Sequence, residues 1–142
     1  MGSSVLNIAI EDKFKTSWGT TTPISYDNLP FDVPLTNWVR LEVWDGDATK
    51  ASLGTGVQLR RSSGTVFITI YSVLSQGSKP ARDLADQVAT VFRDVQLSGL
   101  IFFEPSVKRL GEVYHTGGGD RGSTAQWYQI IVSIPFINNQ YI

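Results

Sequence analysis

An α+β domain, mainly antiparallel sheet with two helices packed on one face, is the fold this sequence predicts, and three observations predict it. Thr65–Leu74 (TVFITIYSVL) is dense in β-branched and aromatic residues, with Val66, Ile68, Ile70 and Leu74 in phase at period two. After the turn Ser75-Gln76-Gly77, Leu84, Val88, Val91, Phe92 and Val95 fall on one helical stripe flanked by Ala81 and Ala85, and such a stripe needs a sheet to cover it. Ala125–Phe136 alternates again, its even positions Tyr128, Ile130, Val132, Ile134 and Phe136 forming a second core face.

The remaining elements follow in order. A helix from about Ser4 to Trp18 places Leu6, Ile10, Phe14 and Trp18 on one face, with Glu11 and Lys15 spaced to pair. Gly19 and Thr20-Thr21-Thr22-Pro23 end it. Ile24-Ser25-Tyr26 is a short extended piece, and Asn28–Pro34 is an ordered loop because it holds two prolines. Trp38–Trp44 (WVRLEVW) alternates strictly and Asp45-Gly46-Asp47 then turns the chain. Leu53–Arg60 returns as a strand, and Arg61-Ser62-Ser63-Gly64 turns into Thr65–Leu74, which makes a three-stranded antiparallel meander. Ser78 and Pro80 mark a helix start near Lys79: Ser78 is an N-cap type, and proline loses no needed donor in a first turn. Gln96-Leu97-Ser98-Gly99 stops the helix. Leu100–Phe103 is a short strand, Val107–Tyr114 another, and His115–Ser123 a flexible hairpin loop before the last strand. Four glycines in Gly117–Gly122 carry a large ordering cost, so the loop is expected to be mobile in a free protomer and to order on assembly.

At 142 residues and 42% hydrophobic, the chain suits one domain, 1–142, able to bury a real core. A formal net charge of −1 gives no global attraction for nucleic acid or an anionic membrane. With no cysteine, disulfides, thiol nucleophiles and thiolate-held metals are excluded. The N-terminus has no basic region, and Val5–Ile10 meets Glu11 and Asp12 at once, so neither a signal peptide nor a membrane span is expected and the chain reads as cytosolic.

Candidate chemistry is thin. The glycine-rich Gly117–Gly122 lacks the lysine and Ser/Thr of a phosphate-binding loop and precedes a strand; it reads as a hairpin tip. Gly54-Thr55-Gly56 has Leu59 where a dinucleotide fingerprint needs its third glycine, and reads as a bulge. His115, the single histidine, has no serine or cysteine partner, and one imidazole makes neither a triad nor a metal site. Asp45 and Asp47 lack the later ligands of a calcium loop. Arg60-Arg61, Lys108-Arg109 and Arg121 are basic groups of the kind found on solvated turns, weak signals for phosphate.

The second sheet face is the informative one. Opposite the core it presents Trp38, Trp44, Phe67, Tyr71, Trp127 and Ile131 among Arg40, Glu42, Thr69 and Gln129, a mixture typical of interfaces and unlike a solvated face. Coverage by a neighbouring subunit is favoured; coverage by the loop Asn28–Pro34 or by the first helix is the alternative.

The order of these features resembles the tail-terminator proteins of long-tailed bacteriophages over nearly the whole chain. The likeness lies in the amphipathic helix Leu6–Trp18, the Asn-Leu-Pro-Phe-x-x-Pro loop Asn28–Pro34, Leu53-Gly54 before a short strand, the Gly-led strand Gly64–Leu74, the helix bearing Phe92, the Gly-rich hairpin and the apolar strand closing at Phe136. The resemblance implies a small α+β virion protein, assembled in the host cytoplasm, that forms a homo-oligomeric and usually hexameric ring on the end of the tail tube. Such a ring stops tube polymerisation and joins the tail to the head connector, with the tail tube protein and the connector or neck protein as partners. DNA passes through its lumen without specific binding, and no membrane is involved. No catalytic, cofactor-binding or metal-binding residue comes with the family, so the chain is not expected to be an enzyme. Its subunit or partner interface is expected at Trp38, Arg40, Glu42, Trp44 and Trp127 on the aromatic face, and at Gly117, Gly118, Gly119, Asp120 and Arg121 in the hairpin. Another neck or tail-completion ring protein fits the same features. From a different class, so does a small oligomeric enzyme or ligand-binding module using His115–Ser123.

Overall fold

A computed structural model describes residues 3–50, 59–74, 76–93, 99–116 and 124–141. In chain order these form α1 (Ser3–Trp18), β1 (Ile24–Tyr26), β2 (Trp38–Lys50), β3 (Leu59–Val73), α2 (Lys79–Arg93), β4 (Leu100–Phe102), β5 (Ser106–Thr116) and β6 (Thr124–Tyr141). The fold is α+β, as the sequence predicts. The sheet runs β1-β2-β3-β6-β4, with β5 also paired to β6. Since Phe102 pairs with Phe136 and Ser106 with Ser133, β4 and β5 follow one another along the outer edge of β6. All these pairings are antiparallel except β1–β2, which is parallel in the register Ile24↔Val39 to Tyr26↔Leu41.

Alternation sets the two sheet faces. Val39 and Leu41 of β2, Val66, Ile68 and Ile70 of β3, and Ile130, Val132, Ile134 and Phe136 of β6 are buried together on one face. Both helices cover it. Leu6, Ile10, Phe14 and Trp18 of α1 enter the same cluster as Ala81, Leu84, Ala85, Val88 and Phe92 of α2. The Phe14 ring stacks on Trp18 at 5.2 Å and on Phe92 at 5.9 Å, which ties the two helices. Gly19 ends α1 at φ 60°, its N–H donating to the Lys15 carbonyl at 3.0 Å, a left-handed cap that glycine adopts without Cβ strain.

Two predicted turns are not turns. Asp45-Gly46-Asp47 lies inside β2, which continues to Lys50 through an irregularity between Asp45 and Ala48. A Cβ on Gly46 would sit 2.6 Å from the Ser63 carbonyl oxygen, so the glycine serves close approach of two strands. Arg61-Ser62-Ser63-Gly64 is likewise continuous β3, held on one side by Asp45–Thr49 and on the other by Phe136–Asn139. At Gly64 a Cβ would meet the Trp44 carbonyl oxygen at 2.5 Å and Phe136 Cζ at 2.6 Å; the Phe136 ring occupies the space a side chain would need. The expected three-stranded meander is therefore the hairpin β2–β3, with Leu59 and Arg60 already in β3. The residues from 53 to 58, including Gly54–Gly56, lie outside the described residues, as do Val95 and Gly117–Ser123. The expected Glu11–Lys15 ion pair is also not formed among the described residues. At an exposed i,i+4 site such a pair gains too little to hold two long side chains together.

Candidate assembly surface

On the second sheet face, register brings the predicted residues into rows: Trp38 beside Tyr71 and Gln129, Arg40 beside Thr69 and Ile131, Glu42 beside Phe67 and Ser133, Trp44 beside Thr65 and Pro135. The first row is closed within the protomer. Trp38 stacks on Tyr71 at 3.9 Å with planes 4° apart, meets the Trp127 ring edge-on at 6.1 Å, and is capped by Phe31 of the β1–β2 loop at 5.0 Å. Trp38 and Trp127 are each 8% exposed, and Gln129 in the Trp38 row and Thr69 in the next are buried. Self-coverage by the Asn28–Pro34 loop thus accounts for this end of the face, while α1 lies on the opposite side of the sheet. The Trp38 indole N–H is buried there without a hydrogen-bond partner, an arrangement costing about 1–3 kcal/mol. Burial raises the Tyr71 phenol above its usual pKa; nearby Arg40 lowers it and Glu42 raises it further.

The far end of the face is open. Trp44 is 61% exposed, its ring edge-on to Phe67 at 5.7 Å. Glu42 bridges two neighbours on its own strand: Oε2 accepts from the Trp44 indole N–H at 3.1 Å, and Oε1 lies 3.0 Å from Arg40 Nε, at ion-pair distance but out of line for a hydrogen bond. These contacts hold an indole against the sheet with its outer face bare. Of the predicted interface set, the structure brings Arg40, Glu42 and Trp44 together as accessible surface, and buries Trp38 beneath a loop with Trp127 at its edge; Gly117, Gly118, Gly119, Asp120 and Arg121 lie outside the described residues.

Two apolar strips went unread in the sequence. The loop leaving β1 exposes Leu29, Val33 and Leu35, and the outer β4–β5 edge exposes Ile101, Phe103, Val107 and Leu110. Their only signal was apolar residues without periodicity between prolines, or on a strand whose partner was unknown. As for chemistry, no group of three or more metal-ligating side chains occurs among the described residues. His115 lies in β5, paired across to Ala125. A hollow of about 540 Å³ beside the N-terminal end of α2 is lined by Thr20, Thr21, Thr22, Asn37 and Asp83, but Asp83 is engaged by Lys79 at 2.8 Å. No described helix is long and apolar enough to cross a membrane.

A solved structure whose name states no activity superposes with a TM-score of 0.65, covering 100% of this chain and 98% of its own at 17% identity, a likeness of fold alone. No curated protein matches the chain. The family model described as phage tail terminator protein matches residues 6–136. The chain therefore belongs to the phage tail terminator family, whose role is structural, and is a phage tail completion protein.

Proposed function

We propose that the whole 142-residue chain acts as one unit that assembles, as a hexameric ring, on the end of the phage tail tube, halts tube polymerisation and presents the finished end to the head connector. The observation that carries this reading is the open half of the second sheet face, where Trp44, Phe67, Arg40 and Glu42 form an aromatic and charged patch that the protomer leaves uncovered although it covers Trp38 and Trp127. Aromatic residues with a rim of charge suit a protein partner, which is either the next subunit or the tube rim. Trp38 and Trp127 close the other end of the same face, and Gly117–Arg121 is the second contact region. A net charge of −1 suits a lumen through which DNA slides without being gripped. The mature location is the virion, at the junction of tail and neck, after assembly in the host cytoplasm.

The test is the mass of the purified protein with and without its tail tubes, together with tail length in phage lacking it. A ring bound to tube ends and overlong tails in its absence are the expected results. Tails of normal length that fail to join heads would instead assign it to another completion ring of the neck.

A further inference from the structure

The two flanks of the sheet differ in charge and both expose apolar side chains. On one flank, a shallow hollow of about 180 Å³ is lined by Glu11, Asp12, Lys15, Tyr26 and Leu29, with Asp27 close enough to act on Glu11. Three carboxylates share that place with one lysine. Burial raises the Glu11 carboxyl above its usual range, and Asp12 and Asp27 raise it further, the behaviour of a carboxylate short of cationic partners. The adjoining loop exposes Leu29, Val33 and Leu35, the last at 94%. On the opposite flank, Lys108 and Arg109 are exposed on β5, beside Phe103, Val107 and Leu110. Neither makes an ion pair with a carboxylate among the described residues; Arg109 instead lies 5.6 Å from the centroid of the Tyr128 ring.

We infer that copies of this chain join flank to flank, head to tail: the acidic side at Glu11, Asp12 and Asp27, with Leu29, receives the basic and apolar side of the next copy at Lys108 and Arg109, with Phe103 and Val107. Charge complementarity selects the occupant. A twofold contact would set three carboxylates against three carboxylates, or cations against cations, and like charges in an interface cost affinity steeply. Copies presented in the same sense satisfy every flank, the acidic side meeting one neighbour and the basic side another. Because the two surfaces sit on opposite edges of one sheet, the contact is heterologous and closes into a ring when its rotation divides the circle. The inference rests on the ring reading above and deepens it: lateral contact belongs to the flanks, which leaves the Trp44 patch for the tube or connector.

The test is a charge swap read by analytical ultracentrifugation, with circular dichroism as the check of fold. Asp12→Lys with Asp27→Lys, and separately Lys108→Glu, change exposed side chains outside the core cluster. Each set alone is expected to raise the concentration needed for assembly by roughly tenfold, and the combined protein to return to wild-type assembly. Added salt should weaken the wild-type ring. Reversed proteins that assemble like wild type overturn the inference, and so does a folded combined protein that stays dissociated. If Trp44→Ser dissociates the ring while the reversals do not, ring formation stands and the flank assignment falls. If the wild type forms no ring, alone or on tubes, the functional reading itself fails.

Discussion

Replacing Phe92 by alanine removes a ring that lies 5.9 Å from Phe14 and 5.4 Å from Phe102, at the place where both helices meet the sheet. The loss of transfer energy and the cavity left behind should cost about 3–5 kcal/mol, read as a lower urea midpoint at unchanged slope. Glu11 has the opposite expectation. Its carboxyl holds a proton more readily in the fold than in the unfolded chain, so its ionised form opposes folding at neutral pH. Glu11→Gln should therefore stabilise the isolated protomer, by under about 1 kcal/mol because the site is largely solvent-screened. The sign fixes the pH window: as pH falls through the raised folded value and then the unfolded value of 4.5, the wild type takes up its proton and the advantage of the variant should vanish. Thermal melts of both proteins across that range check it. The residues of the Phe92 stripe were legible because helical spacing alone places them on one face, whereas the Glu11 repulsion depends on Asp27, sixteen positions away, being folded back beside it.

At the scale of the element, the long β2–β3 hairpin shows how pairing overrides turn chemistry. Gly46 and Gly64, with Asp45 and Ser63 beside them, have the local composition of turns, yet β3 is paired on both sides at Arg61, Ser62 and Gly64 and cannot leave the sheet without losing ladder partners in both β2 and β6. Gly64→Ala tests this. An added methyl group must push against the Trp44 carbonyl oxygen and the Phe136 ring, and should destabilise the protein by about 1–3 kcal/mol in denaturant, whereas a true turn would tolerate it with little change. The helices and β6 were easier to read, since each carries its own periodicity and needs no partner to reveal which side is buried.

For the whole molecule, the four tryptophans divide into distinct roles. Trp18 belongs to the helix–sheet core, Trp38 is closed over by Phe31 and Tyr71 with Trp127 buried at its edge, and Trp44 is left open. Trp44→Ser should leave the melting curve of the protomer nearly unchanged while weakening attachment to the tube end and yielding overlong tails, seen by electron microscopy. Trp38→Ala should instead destabilise the protomer by about 3–5 kcal/mol, because it empties the space between Phe31, Tyr71 and Trp127. Equal effects of the two on tube attachment, with neither altering stability, would contradict this division.

By itself the sequence determined the class of fold, the identity of the core face and both helices, because periods of two and 3.6 residues are local properties written into the order of side chains. It also determined the composition of the second sheet face. Only the tertiary structure decided which part of that face stays open, since Trp38 and Trp44 occupy equivalent phases of one alternating strand and differ in the cross-strand rings beside them and in what the β1–β2 loop lays over them. The same holds for the flanks: Glu11, Asp12 and Asp27 become one acidic surface, and Lys108 with Phe103 an opposing one, only when β1 and the β4–β5 pair are placed at opposite edges of the sheet. Strand order is a matter of non-local pairing, and no periodicity within a strand encodes its neighbour.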